Sequence, residues 1–168
     1  MHFSLIKASD LILVDEEGFV VDGEEPINTA AFTIHSAIHK ARPEINAACH
    51  AHSVHGKAFA AFGRELEMLT QDSLRFYKDH SVYQNFNGVV LDAEEGDQIA
   101  KTLGNGKAII LQNHGLLTVG RTIDEAAFWV CLCLSFMLHM VSCSKIIPFS
   151  CMSSDLREYS WPSGLSTS

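Results

Sequence analysis

A chain of 168 residues and 18.5 kDa holds one ordinary domain with its own core rather than two. Its 12 Lys and Arg against 20 Asp and Glu leave a net charge of −8, which argues against a nucleic-acid partner, since that contact needs clustered cations to release counterions. With 47% apolar and 19% charged residues, the composition is globular and excludes a disordered linker.

Taken in chain order, Leu11 to Val14 and Phe19 to Val21 read as the arms of a hairpin around the turn Asp15-Glu16-Glu17-Gly18. A helix follows, capped by Asn28 or Thr29. Ala30, Ala31, Ile34, Ala37 and Ile38 recur at helical spacing until Pro43 stops the helix near Arg42. Ile45 to His52 alternates as a strand, and Val54 to Phe62 reads as a helix ending at Gly63. Arg64 to Asn87 is polar and aromatic without a period, and is expected to be loop with short elements. Gly88 to Leu91 reads as a strand, Asp92 to Leu103 as a helix and Lys107 to Gln112 as a buried strand. Asn113-His114-Gly115 is a turn, Leu116 to Val119 a strand, and Thr122 to about His139 a helix with Thr122 as cap and Glu125 three residues on. Strands alternating with helices imply an α/β or α+β domain with helices covering a sheet.

Five cysteines (Cys49, Cys131, Cys133, Cys143 and Cys151) form an odd set crowded toward the C-terminus, unlike the even framework of a secreted domain. Residues 1–7 show no basic stretch leading into an apolar run, so no signal peptide is expected. The expectation is a reduced, cytoplasmic protein. The apolar run from Phe128 to Val141 would cover roughly 21 Å as a helix, against a hydrocarbon core of about 30 Å. It is therefore expected to be a core or interface helix, with no membrane as partner.

His50-Ala51-His52 is the sharpest local signal. On a strand, residues i and i+2 point to the same face, so two imidazoles can grip one divalent ion. The same pair also fits two hydrogen-bonded core histidines. His114 follows a buried strand at a place where functional side chains gather, and Gly115 allows a tight turn beside a ligand. A His-x-His pair plus one distant His leaves room for water or substrate, as in a catalytic rather than a structural metal site. His35, His55 and His80 are further candidates.

With these residues, the sequence resembles the class II aldolase/adducin family, and more narrowly its fungal-type members. The matching pieces are Ala8 to Asp15 followed by Gly18, Ile34-His35 to Ala41-Arg42-Pro43-Glu44, Cys49-His50-Ala51-His52-Ser53, Asp92 to Gly96, Leu111 to Leu116 and Asp124-Glu125-Ala126-Ala127. The resemblance implies an α/β fold, a three-layer α/β/α sandwich with a largely antiparallel central sheet. It also implies a divalent metal, Zn2+ or Fe2+, on His50, His52 and His114. A small-molecule substrate and a homo-oligomer, a tetramer in the family, follow from it as well.

Three departures from the family pattern stand out. The acid/base glutamate of the aldolases falls at about Ala31, which cannot move a proton. Met1 matches an internal point of the pattern, so the usual N-terminal part is not expected in the domain, placed at residues 1–129. Residues 130–168 read as a divergent tail. Tyr77, His80 and Tyr83 are the candidates for the missing acid/base.

The function implied is a metal-dependent, aldolase-like lyase using enolate chemistry on a small hydroxy or keto substrate. The alternatives are an Fe(II)-dependent oxidative decarboxylase of secondary metabolism and a non-catalytic, adducin-like interaction domain or degenerate paralogue. The second explains Ala31 but leaves three histidines without a purpose.

Overall fold

A computed structural model describes residues 5–85 and 93–144. A short 3-10 turn at Ala8–Asp10 precedes β1 (Leu13–Val14) and β2 (Val20–Asp22), an antiparallel hairpin. The Asp15 carboxylate closes its turn by accepting from the backbone N–H of Glu17 at 3.1 Å and of Phe19 at 2.7 Å. Then come α1 (Thr29–Ala41), β3 (Ala47–Ala51) and α2 (Val54–Ala60). After a 3-10 turn at Ser73–Phe76 follow β4 (His80–Tyr83), α3 (Ala93–Leu103), β5 (Ala108–Leu111), β6 (Gly115–Gly120) and α4 (Ile123–Ser144).

The main sheet has the order β3-β6-β5-β4. Its β3–β6 and β6–β5 pairs are antiparallel, and its β5–β4 pair is parallel. Alternation along each strand divides the core in two. Tyr83, Ile109, Leu111, Leu117 and Val119 pack with Ile34, Ala37 and Ile38 of α1 and Ile99 and Leu103 of α3. Ala108, Ile110 and Leu116 face the other way, onto Phe59 of α2 and Cys133, Phe136, Met137 and Met140 of α4. The result is the three-layer α/β/α sandwich that the resemblance implies, with a largely antiparallel sheet.

The helix starts follow the sequence signals. The Asn28 side chain, not that of Thr29, caps α1 by accepting from Ala31 N–H at 3.1 Å, and Ser53 caps α2 through Gly56 N–H at 3.0 Å. At α4, Thr122 Oγ1 accepts from Glu125 N–H at 3.1 Å, while the Glu125 carboxylate reaches back to Arg121 N–H at 2.7 Å.

Several expectations are adjusted. Within the stretch expected to be loop with short elements, His80–Tyr83 is one such element, a parallel edge strand of the sheet. The strand expected at Gly88–Leu91 lies outside the described residues. The helix that carries the apolar run extends from Ile123 to Ser144, so 22 residues span about 33 Å, and length alone no longer separates it from a membrane span. Ala126, Cys133, Phe136, Met137 and Met140 are buried in the fold, and 28% of the apolar window is buried. The domain end expected at Trp129 falls inside α4, and the helix carries core residues on beyond it.

Candidate metal centre

The site grows out of the β3–β6 ladder. His50 pairs with Leu117 and Ala51 with Leu116, while the chain between β5 and β6 folds into the turn Gln112-Asn113-His114. Asn113 supplies the left-handed residue of that turn, with φ of 59°, which asparagine tolerates better than most side chains. The turn is tied down by Gln112 N–H to Tyr83 O at 2.9 Å and His114 N–H to Leu111 O at 3.0 Å. Gly115 therefore does a different job from the tight turn expected of it. A Cβ there would lie 2.5 Å from Ala51 O and 3.1 Å from Cδ2 of the His52 ring. Only glycine lets β6 approach β3 this closely beside the histidines.

His50, His52 and His114 meet. Their ring centroids are 4.6, 4.7 and 4.9 Å apart, and one nitrogen from each lies within 4.8 Å of the others. His50 Nδ1 is 3.0 Å from Leu116 O; a carbonyl only accepts, so Nδ1 carries the hydrogen and the neutral ring presents a bare Nε2. His52 Nε2 sits 2.7 Å from that atom. Nitrogens around one tetrahedral ion at Zn–N of about 2.0–2.1 Å are about 3.3 Å apart, a spacing bracketed by the 2.7 Å and 4.8 Å seen here. Burial first, then the neighbouring charges of His114 and His52, lowers the His50 pKa to about 3 despite the opposing backbone bond. Burial, with His52 next, also lowers that of His114. Both rings thus offer lone pairs at neutral pH, the state a metal ligand needs.

The other candidate residues lie apart from this cluster. His80 is bound at both ring nitrogens: Nδ1–H donates to Phe76 O at 2.6 Å, and Nε2 accepts from Leu66 N–H at 2.9 Å. Tyr83 is buried in the core beneath α3, its hydroxyl 3.4 Å from Gln98 Oε1. Tyr77 is exposed, with the Lys78 ammonium 5.3 Å from its ring centre. His55 is exposed on α2. His35 is half-buried on α1, one turn beyond Ala31, and interacts electrostatically with His50. The Leu116 carbonyl that orients His50 carries no signal in the sequence, because any residue could supply it.

The model of the Class II Aldolase and Adducin N-terminal domain matches residues 1–141. The chain belongs to the class II aldolase/adducin family. Among its relatives, "Decarboxylase NovR" of Streptomyces niveus is 50% identical over 131 residues, covering 77% of this chain and 48% of that protein. The "4-hydroxy-3-prenylphenylpyruvate oxygenase/4-hydroxy-3-prenylbenzoate synthase" of Streptomyces roseochromogenus subsp. oscitans is 50% identical with 77% and 47% covered. Among solved structures, the L-fuculose 1-phosphate aldolase from Glaciozyma antarctica is 46% identical with a TM-score of 0.75, covering 84% of this chain and 55% of that one. This class II aldolase/adducin domain thus spans about half the length of those curated relatives.

Proposed function

We propose that the chain is a metal-dependent lyase that breaks a carbon–carbon bond beside the carbonyl of a small oxygenated substrate. His50, His52 and His114 are its metal ligands. The observation that carries this is the convergence of three ring nitrogens, one of them oriented through its opposite nitrogen by a main-chain carbonyl. His50, His52 and His114 would hold a divalent ion there, which would supply Lewis-acid charge beside the substrate's oxygen. Three imidazoles suit Zn2+ and equally Fe2+. The rest falls to the chain: His50 is held in one tautomer, His114 is fixed by the turn, and Gly115 keeps the two strands in contact behind them.

The names of the two Streptomyces relatives favour decarboxylation, the second through an oxygenase reaction that takes O2 as oxidant, and that of the Glaciozyma enzyme favours aldol cleavage. Aldol cleavage and loss of carbon dioxide from a 3-oxo acid both leave an enolate, so one site serves either; the oxidative route is the second reading. A homo-oligomer is part of this reading.

The test is metal content of the purified full chain by plasma mass spectrometry beside a His50→Ala/His52→Ala variant, followed by carbon dioxide release from a panel of 3-oxo acids and, with O2 supplied, of 2-oxo acids. The expected result is about one zinc or iron per chain, lost in the variant. A folded wild-type chain that takes up neither metal overturns the proposal. The adducin-like interaction domain, which Ala31 favours by placing a methyl where a carboxylate is needed, then becomes the better account.

A further inference from the structure

The three histidines are not placed by the same means. His50 and His52 are carried by the end of β3, whose ladder with β6 fixes them residue by residue. His114 stands in the turn between β5 and β6. Its own N–H bond to Leu111 O, at 3.0 Å, closes that turn locally but does not set where the turn lies. Two segments distant in the chain do. On the β4 side, Tyr83 O accepts from Gln112 N–H at 2.9 Å; on the α2 side, Ala60 O accepts from Asn113 N–H at 3.4 Å.

A side chain adds to the α2 side. Gln112 is half-buried, and its amide rests directly on Gly63, just past the end of α2. A Cβ at Gly63 would lie 2.5 Å from Nε2, 2.6 Å from Cδ and 2.9 Å from Oε1 of Gln112. Gly63 is itself held from both sides. Its N–H donates to Ala60 O at 3.0 Å, and its carbonyl accepts from Gln84 Nε2–H at 2.8 Å. The end of α2 therefore offers a fixed seat with no side chain on it, and Gln112 fills that seat. Alternation along β5 explains the direction: Ala108 and Ile110 face α2 and α4, and Gln112 follows two residues on. Ala48, two residues before His50 on β3, packs with the core of α1 instead, so Gln112 backs the turn from the opposite side of the sheet to His50.

We propose that Gln112, seated on Gly63, is the positioning residue for the third metal ligand, holding the His114 turn where its ring meets His50 and His52. This rests on the metal-centre reading above. Loss of the seat frees His114 and leaves the other two rings on their ladder, so a three-histidine site becomes a two-histidine one.

The test uses the full chain and two metal readouts. Zinc is titrated against a chromophoric chelator. Co2+ in place of zinc absorbs visible light strongly when four-coordinate and weakly when six-coordinate, so a histidine replaced by water shows as lost intensity. Gln112→Ala empties the seat. Gly63→Ala fills it with a methyl, and the atoms it meets are the mobile end of a side chain, so Gln112 swings off while α2 stays in place. Both are expected to weaken zinc by about tenfold or more and to move the cobalt spectrum toward that of His114→Ala. Gln112→Met keeps the unbranched length and is expected to stay within about threefold of wild type. Gly104→Ala is the control for backbone strain, having φ of 54° against 58° at Gly63 and no new contact nearer than 3.9 Å. If Gln112→Ala does not fold, Gly63→Ala carries the test.

Wild-type zinc affinity and cobalt spectrum in Gln112→Ala or Gly63→Ala overturn the assignment and leave the metal centre standing. An equal loss in Gln112→Met, or in Gly104→Ala, overturns it too, because the effect then does not come from filling the seat. A wild-type chain that binds neither zinc nor cobalt removes the metal-centre reading itself and this inference with it.

Discussion

Gly115→Ala is the sharpest perturbation of the site that touches none of its ligands. The new methyl carbon would start 2.5 Å from Ala51 O, and ordinary contact begins at 3.4 Å, so the strands must part by about 0.9 Å at that end of the ladder. The same displacement stretches His50 Nδ1 to Leu116 O from 3.0 Å to about 3.9 Å, beyond hydrogen-bonding range. Overpacking of this kind costs about 1–3 kcal/mol, and the lost orienting bond costs about 10–100-fold in metal affinity. Thermal unfolding is therefore expected to fall by about 2–12 °C, with zinc affinity by chelator competition falling in the same variant. Gly104→Ala is the control. At φ of 54° it is strained by about 1 kcal/mol, but its nearest new contact is Lys101 O at 3.9 Å, and it leaves zinc affinity unchanged. A Gly115→Ala chain indistinguishable from wild type in both measurements refutes the close-approach argument.

In the metal-free chain, His50 has its pKa lowered to about 3, and that of His114 is lowered too, so between about pH 6.5 and about pH 3 the unfolded chain binds more protons than the folded one. Stability is thus present above the unfolded value and lost as pH falls, by up to about 1.4 kcal/mol per pH unit for each such proton; urea midpoints in chelator at about pH 7.5 and about pH 5 should show it, and His50→Gln should flatten it. Met137→Ala, at a side chain 0% exposed beyond the expected domain end, should cost about 2–5 kcal/mol by urea unfolding, whereas Leu138→Ala at 38% exposure should cost well under half of that. His80→Ala should lower stability by about 1–3 kcal/mol through its two backbone bonds while leaving zinc affinity untouched, which chelator competition checks.

What the sequence showed plainly was periodic. The alternation in Ile45 to His52 puts His50 and His52 on one face, and the buried run before Asn113 places His114 at a strand end; the structure brings all three rings together. Local signals held where chemistry is local, as at the caps Asn28 and Thr122. What was hidden depends on partners distant in the chain. His80–Tyr83 becomes a strand only by lying parallel to β5, and half of its side chains are polar. The role of Gly115 is set by Ala51 O on another strand, and the orientation of His50 by a carbonyl. The second half of α4 looked foreign because it lacks charges, yet that is the composition of a helix carrying Cys133, Phe136, Met137 and Met140 into the core.

The cage and the helix beside it are held by separate means, and this bears on Ala31. The three histidines come from β3, the residue after it and the β5–β6 turn, fixed by ladder bonds, the Leu116 carbonyl and the contact that Gly115 permits. None of these involves residue 31, so a methyl there leaves the cage undisturbed. The cage carries a cost only in acid: a His50 pKa near 3 means that its protonated form is strongly disfavoured in the fold, while at neutral pH the ring is uncharged and available. The three rings brought together, with one already turned to offer its lone pair, are the arrangement that the proposed divalent ion requires.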